Sequence, residues 1–298
     1  MRCKNKLTAA VAAACMLGAA QLVLGQALDL VNKGGINPES WKYGPRNDDT
    51  TGGLVWNPVK QKMINGDIVI GRTVSTSDLA AMNTTYCTAI SQANADFTWT
   101  EMQHSGIDWG DAWRMWAYGS SASCAGRADG SRAIPGVRVA YTDEREIQHA
   151  LDGGAMVLVV PTVDTEEEAK QVVQWAYYPP MGRRSQGSTQ VANVLRPWLP
   201  QGVNYRQTFN NNLVLIVMIE TIEGVKNVDK IAQVPGITGV FVASSDLGNF
   251  SGYAQGDADY EKLVTAIHDN VLAAGRRLCG PFAWLTSRPG QNFTCFQN

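Results

Sequence analysis

Two carboxylates follow apolar runs that lie one strand–helix repeat apart in this 298-residue chain. Glu220 comes directly after the run Leu213–Ile219, and Asp246 comes shortly after Val240–Ala243. Because parallel strands of a barrel end at one shared rim, we expect the two side chains to be neighbours there. Such a pair can hold a hard divalent cation, with water and substrate oxygens filling its other positions. The alternative is local, with Glu220 capping the next helix and Asp246 forming a turn with Asn249.

Arg138 ends another apolar run, IPGVRVAY. The planar guanidinium fork suits the carboxylate of a substrate, so a strand-end arginine is a candidate anion-binding residue. A structural ion pair with Asp152 or Glu101 is the alternative.

His104 is one of only three histidines and follows the apolar run Phe97–Thr100. Its side chain titrates near neutrality, which suits proton transfer. His149 and His268 lie on helical stretches and are interpreted as surface or packing residues.

The elements that must position these residues are short β-branched apolar runs, each followed by a helical stretch. Near-continuous runs such as MVLVVP are typical of strands buried on both faces of a parallel sheet. Eight units of this kind predict a (β/α)8 TIM barrel. An open doubly wound sheet is the second possibility, but no GxGxxG follows the first strand. The predicted strands are Asp67–Thr73, Phe97–Thr100, Gly136–Ala140, Met156–Val160, a weak one near Arg184, Leu213–Ile219, Val240–Ala243 and Arg277–Phe282.

Helix signals lie between these strands. The stretch Glu166–Tyr177 is preceded by Asp164 or Thr165 as a candidate N-cap, and Thr221–Gln233 is followed by Pro235 and a glycine. Residues 26–60 are rich in Gly, Asn and Pro and are predicted to form an extended N-terminal arm. The catalytic barrel is expected to occupy residues 61–298.

Residues 1–25 have the pattern of a signal peptide, with three basic residues ahead of an uncharged apolar run. An uncleaved membrane anchor is the alternative, because the run is of borderline length for a span. A lipoprotein signal ending at Cys15 is a third option. We therefore expect a secreted protein without stable membrane insertion.

Four cysteines remain once the leader is removed, and an even number fits an oxidising compartment. Proximity in sequence favours disulfides Cys87–Cys124 and Cys279–Cys295, although free buried thiols remain the alternative. Sequons at Asn83, Asn249 and Asn292 would accept glycans in a eukaryotic secretory route.

The composition, with 45% hydrophobic and 17% charged residues, is that of a globular protein. The net charge is −2, and no segment gathers Lys or Arg densely enough to track phosphates. Nucleic acid is therefore excluded as an expected partner.

Several motifs, in order, resemble the HpcH/HpaI aldolase/citrate lyase family of metal-dependent pyruvate aldolases. The resemblance runs from about Lys60 to Trp284. The motifs are EMQHS at 101–105, GVRVAY at 136–141, LDGGAMVLVVPTVDTEEEA at 151–169, YYPPMGRRSQG at 177–187, and the segment from MIETIEG at 218 to ASSDL at 247.

The resemblance implies a role for each matching residue. Glu220 and Asp246 would hold a divalent cation (Mg, Mn, Co or Zn), Arg138 would contact the 2-oxo acid, and His104 would be the base. Asp152 would be the carboxylate that supports the histidine. The resemblance also implies domain-swapped homo-oligomers, trimers or hexamers.

The chain departs from the family pattern close to the expected pocket. Met218 replaces a frequent glutamine, Ser244 and Ser245 replace a Pro-Ala pair, and Gln103 replaces a glutamate. Glu101 replaces an aspartate, and Ser185 replaces the glycine that follows the loop arginine, Arg184. These departures concern the identity of the substrate more than the metal, and all of these residues but Ser185 are expected to bind substrate.

The resulting hypothesis is a lyase that cleaves or forms a 4-hydroxy-2-oxo acid through a pyruvate enolate, with an aldehyde as second product. One alternative keeps the barrel and metal but uses a malyl-, citramalyl- or citrate-type acid. The other is a secreted, non-catalytic barrel that binds a sugar acid or a protein.

Overall fold

The structure is a computed structural model that describes residues 54–75, 81–179, 181–187 and 190–298. Eight parallel strands close into a barrel in chain order, with β8 paired to β1. This confirms the predicted (β/α)8 barrel. The strands are β1 Val69–Val74, β2 Phe97–Glu101, β3 Gly136–Arg138, β4 Val157–Val160, β5 Val214–Ile219, β6 Gly239–Val242, β7 Arg277–Pro281 and β8 Phe293–Gln297.

Helices lie between the strands in chain order and pack around the barrel. In the described residues they are α1 Pro58–Asn65, α2 Met82–Ile90, α3 Trp109–Gly119, α4 Glu144–Gly153, α5 Glu166–Ala176, α6 Gln190–Leu195, α7 Tyr205–Asn212, α8 Ile222–Gln233, α9 Ser244–Ser251, α10 Ala258–Ala273 and α11 Trp284–Ser287. Thr165 and Glu168 form a capping box at the start of α5, so of the two predicted N-caps Thr165 is correct.

The strand predicted near Arg184 is wrong. β4 pairs directly with β5 in register, so the ladder leaves no place for a strand between them. The eighth strand is β8, where Phe293, Cys295 and Phe296 are buried and the ladder with β1 closes the barrel.

The predicted N-terminal arm lies largely outside the described residues. Its described part already contains the start of α1, whose N-cap Asn57 accepts a hydrogen bond from Val59. Lys60 of α1 is fully buried, and its Nζ donates to the Leu213 carbonyl oxygen at 2.8 Å and to Thr238 Oγ1 at 3.2 Å. Since Leu213 and Thr238 directly precede β5 and β6, α1 closes the N-terminal end of the barrel, opposite the mouth.

The barrel interior is filled by large side chains that require glycine beside them. Phe97 of β2 packs over Gly71 of β1 and Gly136 of β3, and a Cβ at Gly71 would overlap its ring. Side-chain packing thus fills the barrel interior, and in such a barrel the chemistry lies at the C-terminal rim.

The cysteines are partly as predicted. Cys87 and Cys124 form a disulfide between α2 and the loop after α3. Cys279 and Cys295 are buried, free and in register on β7 and β8, so the predicted second disulfide is not present.

Among the described residues, no helix has the length and apolarity needed to cross a membrane.

Candidate active site at the C-terminal mouth of the barrel

Glu101 is the last residue of β2 and is buried. Its Oε1 accepts hydrogen bonds from the backbone amides of Gln103, at 2.9 Å, and His104, at 3.1 Å. Its Oε2 accepts from the Trp99 indole at 3.2 Å. The carboxylate therefore shapes the turn that carries the candidate base, a role that the sequence did not indicate.

Arg138 ends β3, next to Glu101 in the strand register. Its Nε and Nη2 lie 2.8 and 2.5 Å from Glu101 Oε2, and its guanidinium lies 5.9 Å from the Trp99 ring centre. Of the two partners considered from sequence, Glu101 is therefore the one that pairs with it. This ion pair orients the guanidinium at the mouth.

His104 and Gln103 lie in the loop that follows β2. The His104 side chain is exposed, which leaves it accessible to a substrate proton. Gln103 is half-buried, and its Oε1 is buried without a hydrogen-bond partner in the described part of the chain. A buried amide oxygen without a partner is costly, so Gln103 offers a site for a donor from a ligand.

Glu220 directly follows β5 and is buried. Oε2 accepts a hydrogen bond from the Thr162 hydroxyl, whereas Oε1 is buried without a partner among the described residues. Burial raises the pKa of the Glu220 carboxyl, and the charge of Asp246 raises it further, while Thr162 and Arg138 oppose the shift. The helix α8 is capped by Thr221, so the capping role considered for Glu220 is wrong.

Asp246 lies in the first turn of α9, half-buried, beyond the end of β6. Because β5 and β6 are paired neighbours, Glu220 and Asp246 follow adjacent strands at the same rim, and the charge of Asp246 acts on the Glu220 carboxyl. Of the two serines before it, Ser244 is buried and its carbonyl oxygen accepts from the Tyr260 hydroxyl at 3.0 Å, while Ser245 is exposed.

An apolar floor lies below these charges. Met218 precedes Glu220 by two positions and, by strand alternation, faces the same side. Its register partner is Phe241 of β6, whose ring centre lies 5.2 Å from that of Trp99. Met218, Phe241 and Trp99 are all buried, and electrostatic interactions are stronger beside such an apolar region than in water.

Two predicted site residues lie away from the mouth. Asp152 is in the last turn of α4, which runs back from the mouth towards the start of β4. It pairs with Arg184 at 2.7 Å and accepts from Gln148 at 2.7 Å. Arg184 is fully buried and packs against the rings of Tyr178 and Phe209, 4.6 and 4.5 Å from their centres. Within one chain, Asp152 therefore does not support His104, and Arg184 does not line the mouth.

Thr162 was not predicted. It follows β4 after Pro161 and has φ of 46°, a left-handed value that β-branched residues rarely adopt. A polar residue just beyond a strand was the one available signal, and the sequence contains many of these.

The donor set fits a hard divalent cation. Two neighbouring carboxylates supply oxygen ligands, and the buried, unpartnered Oε1 of Glu220 is compensated once a cation binds. No group of three or more His, Cys, Asp or Glu side chains suited to metal binding occurs in the described ranges. Water and substrate oxygens would complete the coordination.

Comparison with known proteins agrees with this geometry. A family model described as HpcH/HpaI aldolase/citrate lyase matches residues 79–280. A hydroxypyruvate/pyruvate aldolase of Rhizorhabdus wittichii is 33% identical over 217 residues, which cover 70% of this chain and 80% of that protein. A 2-keto-3-deoxy-L-rhamnonate aldolase of Salmonella schwarzengrund is 31% identical over 75% of this chain and 78% of its own length.

Solved structures show the same fold. A HpcH/HpaI aldolase/citrate lyase family protein from Burkholderia cenocepacia superposes with a TM-score of 0.67 at 23% identity, over 81% of this chain and 91% of that one. The citrate synthase SbnG gives a TM-score of 0.61 at 25% identity, over 80% and 88%.

Proposed function

This chain belongs to the HpcH/HpaI aldolase/citrate lyase family and is a carbon–carbon lyase of its class II pyruvate aldolase type. On that premise, we propose that it cleaves or forms a 4-hydroxy-2-oxo acid at the barrel mouth. The substrates are a 2-oxo acid and an aldehyde. The observation that carries the proposal is the buried Glu220 carboxylate, which follows β5 beside the strand that leads to Asp246 and has one oxygen without a partner in the described part of the chain.

Glu220 and Asp246 would hold the divalent cation, with Mg or Mn as the first candidates and Co or Zn as others. When bound, the cation supplies a Lewis acid that stabilises negative charge on the enolate oxygen. The unpartnered Glu220 Oε1 supports this assignment because a buried carboxylate oxygen needs a hydrogen-bond donor or a cation.

Arg138 would hold the carboxylate of the 2-oxo acid. Its pairing with Glu101 keeps the guanidinium in place before the substrate arrives, which reduces the entropy lost on binding. Gln103, Met218, Ser244 and Ser245 would then shape the remainder of the pocket.

His104 would transfer the protons. In cleavage, His104 takes the proton of the C4 hydroxyl. The C3–C4 bond then breaks, the aldehyde forms, and the electron pair of the broken bond passes into the pyruvate enolate. The protonated histidine then returns a proton to C3. The exposed position of the side chain supports this role, because the proton must be exchanged with substrate.

Asp152 would support His104 from a second copy of the chain. Asp152 lies on α4, on the outside of the barrel, and its side chain is partly exposed, so a neighbouring subunit could bring its own mouth to Asp152. A homo-oligomer, trimer or hexamer, is therefore part of the proposal, and light scattering coupled to gel filtration tests it.

Secretion is also proposed. The Cys87–Cys124 disulfide supports an oxidising compartment, and the sequon residues Asn83, Asn249 and Asn292 are all exposed. Sequencing of the mature N-terminus and glycosidase treatment of protein from the native host would test this part. A mature protein that begins at Met1 would contradict it.

The direct test of the chemistry is exchange of the pyruvate methyl protons with deuterium, followed by NMR. We expect exchange that stops with EDTA, returns with Mn²⁺ and is absent in Glu220→Ala. The matched control is Glu223→Ala, an exposed glutamate in the first turn of α8. Exchange that survives both EDTA and Glu220→Ala would overturn the scheme. A panel of aldehydes would then identify the second substrate.

A citrate-type reaction is the second candidate. It is favoured by the likeness to the citrate synthase SbnG. Incubation with oxaloacetate and malate-type acids, in parallel with the aldehyde panel, would distinguish the two by which carbon–carbon bond forms or breaks.

A further inference from the structure

Thr162 is held in an unfavourable backbone conformation at the mouth. Its φ of 46° lies in the left-handed region, and Asn292 is the one other described non-glycine residue with positive φ. A β-branched residue is strained in this region and persists there only where surrounding contacts enforce it.

Contacts on both sides enforce the conformation. The Thr142 hydroxyl, from the loop after β3, donates to the carbonyl oxygen of Pro161 at 2.5 Å. The amide of Val163 donates to the carbonyl oxygen of Met218 on β5 at 3.2 Å. Thr162 is therefore fixed between the loop after β3 and the strand that carries Glu220.

The consequence of this conformation is the direction of the Thr162 hydroxyl. It donates to Oε2 of Glu220, and so occupies one oxygen of that carboxylate. The other oxygen, Oε1, is buried and has no hydrogen-bond partner in the described residues. One oxygen is thus held by the protein and the other is left for a ligand.

We propose that Thr162 is a positioning residue that presents Glu220 to the cation through a single oxygen, Oε1. The inference rests on the proposed function, in which Glu220 is a metal ligand. A carboxylate that offers one oxygen suits Mg²⁺ or Mn²⁺, which bind six ligands in a tight octahedron. Ca²⁺ takes six to eight oxygens and often binds carboxylates through both, so Thr162 would disfavour it.

The test measures Mn²⁺ affinity by the EPR signal of free Mn²⁺, with Ca²⁺ as competitor. Thr162→Val removes the hydroxyl and keeps the shape, Thr162→Ser keeps the hydroxyl, and Thr162→Gly removes both the hydroxyl and the backbone strain. Loss of a residue that orients a metal ligand typically weakens metal binding by roughly 10- to 100-fold. We expect that loss in the valine and glycine variants, together with stronger competition by Ca²⁺, and near wild-type affinity in the serine variant.

Thermal unfolding in EDTA separates folding from metal binding. The glycine variant should unfold at or above the wild-type temperature, because glycine adopts positive φ without strain. Weaker Mn²⁺ binding in that variant would then come from the lost hydroxyl and not from a damaged fold.

Two outcomes would overturn different statements. If Glu220→Gln loses Mn²⁺ binding but the valine and glycine variants bind like wild type, the role of Thr162 is wrong and the proposed function stands. If wild type does not bind Mn²⁺, or Glu220→Gln binds it equally well, the proposed function fails and the role of Thr162 fails with it.

Discussion

Arg138 and Glu101 form a buried ion pair in which two guanidinium nitrogens, Nε and Nη2, reach the same carboxylate oxygen. The two side chains are 11% and 6% exposed and lie opposite each other on neighbouring strands. Because Glu101 also accepts the backbone amides of Gln103 and His104, one carboxylate orients both the candidate substrate-binding arginine and the candidate base.

Arg138→Lys should lower kcat/KM for the 2-oxo acid by roughly 10- to 100-fold. The lysine keeps the charge but loses the fork, and a charge-assisted hydrogen bond contributes about 1.5–3 kcal/mol. Steady-state kinetics measures the change. Arg183→Lys, at an exposed pair with Glu144, is the control and should keep wild-type kinetics. Equal kinetics for wild type and Arg138→Lys would remove Arg138 from substrate binding.

His104→Gln should reduce exchange of the pyruvate methyl protons by about 10²- to 10⁴-fold, the usual contribution of a general acid or base. Mn²⁺ affinity should be unchanged because the histidine is not one of the proposed ligands. His149→Gln, on α4, is the matched histidine control. If the His104 variant exchanges at the wild-type rate, another group is the base.

Asp152→Asn should lower the free energy of unfolding by about 3 kcal/mol, measured by urea denaturation. The substitution leaves the fully buried Arg184 guanidinium without its counter-charge, and two of its nitrogens already have no partner among the described residues. Glu144→Gln breaks the exposed pair with Arg183 and should cost less than about 1 kcal/mol. Similar losses in both variants would show that burial of the Asp152–Arg184 pair does not determine its contribution.

Lys60 should make stability depend on pH. Burial, with the charge of Arg276, lowers the pKa of Lys60 to about 7 from 10.5. Between these values the unfolded chain binds more protons than the folded chain, so this lysine makes stability rise with pH from about 7 towards 10.5.

Lys60→Met should remove that rise, and the difference in unfolding free energy between wild type and variant should grow in favour of wild type as pH increases. Urea denaturation at pH 7, 8 and 9 measures it. Lys62→Met, at a partly exposed pair with Asp96, should run parallel to wild type. A Lys60→Met curve that also runs parallel would show that Lys60 stays protonated in the fold.

Dithiothreitol should lower the melting temperature of wild type and leave that of Cys87→Ala/Cys124→Ala unchanged. The disulfide joins residues 37 apart, and closing such a loop contributes about 3–4 kcal/mol. The remaining cysteines, Cys279 and Cys295, are free. A reductant effect that persists in the double variant would show that they pair as well.

The barrel could be predicted because its signal is local. Runs such as Val157–Val160 and Val214–Ile219 are apolar at every position, and a strand can bury both faces in this way only in a covered parallel sheet. The same regularity placed Glu220 and Asp246 at one rim. β8 was missed because its segment lies among polar residues, and only closure against β1 makes it a strand.

Local sequence patterns could not predict which residues far apart in the chain pair with each other. The sequence left Arg138 with two possible partners, and strand register selected Glu101. Asp152 was assigned to His104, yet within one chain α4 carries it away from the mouth, and there it pairs with Arg184. Cys279 and Cys295 were expected to bond because they are close in sequence, but the structure has them as free neighbours on two strands.

By itself the sequence determined the fold and the two carboxylates that follow neighbouring strands at one rim, because periodicity and strand ends are properties of short segments. Only the tertiary structure decided which oxygen of Glu220 is held by Thr162 and which is left open. That choice depends on a left-handed backbone angle, which contacts from β5 and from the loop after β3 impose. A β-branched residue has no local preference for such an angle, so no local pattern could have predicted it.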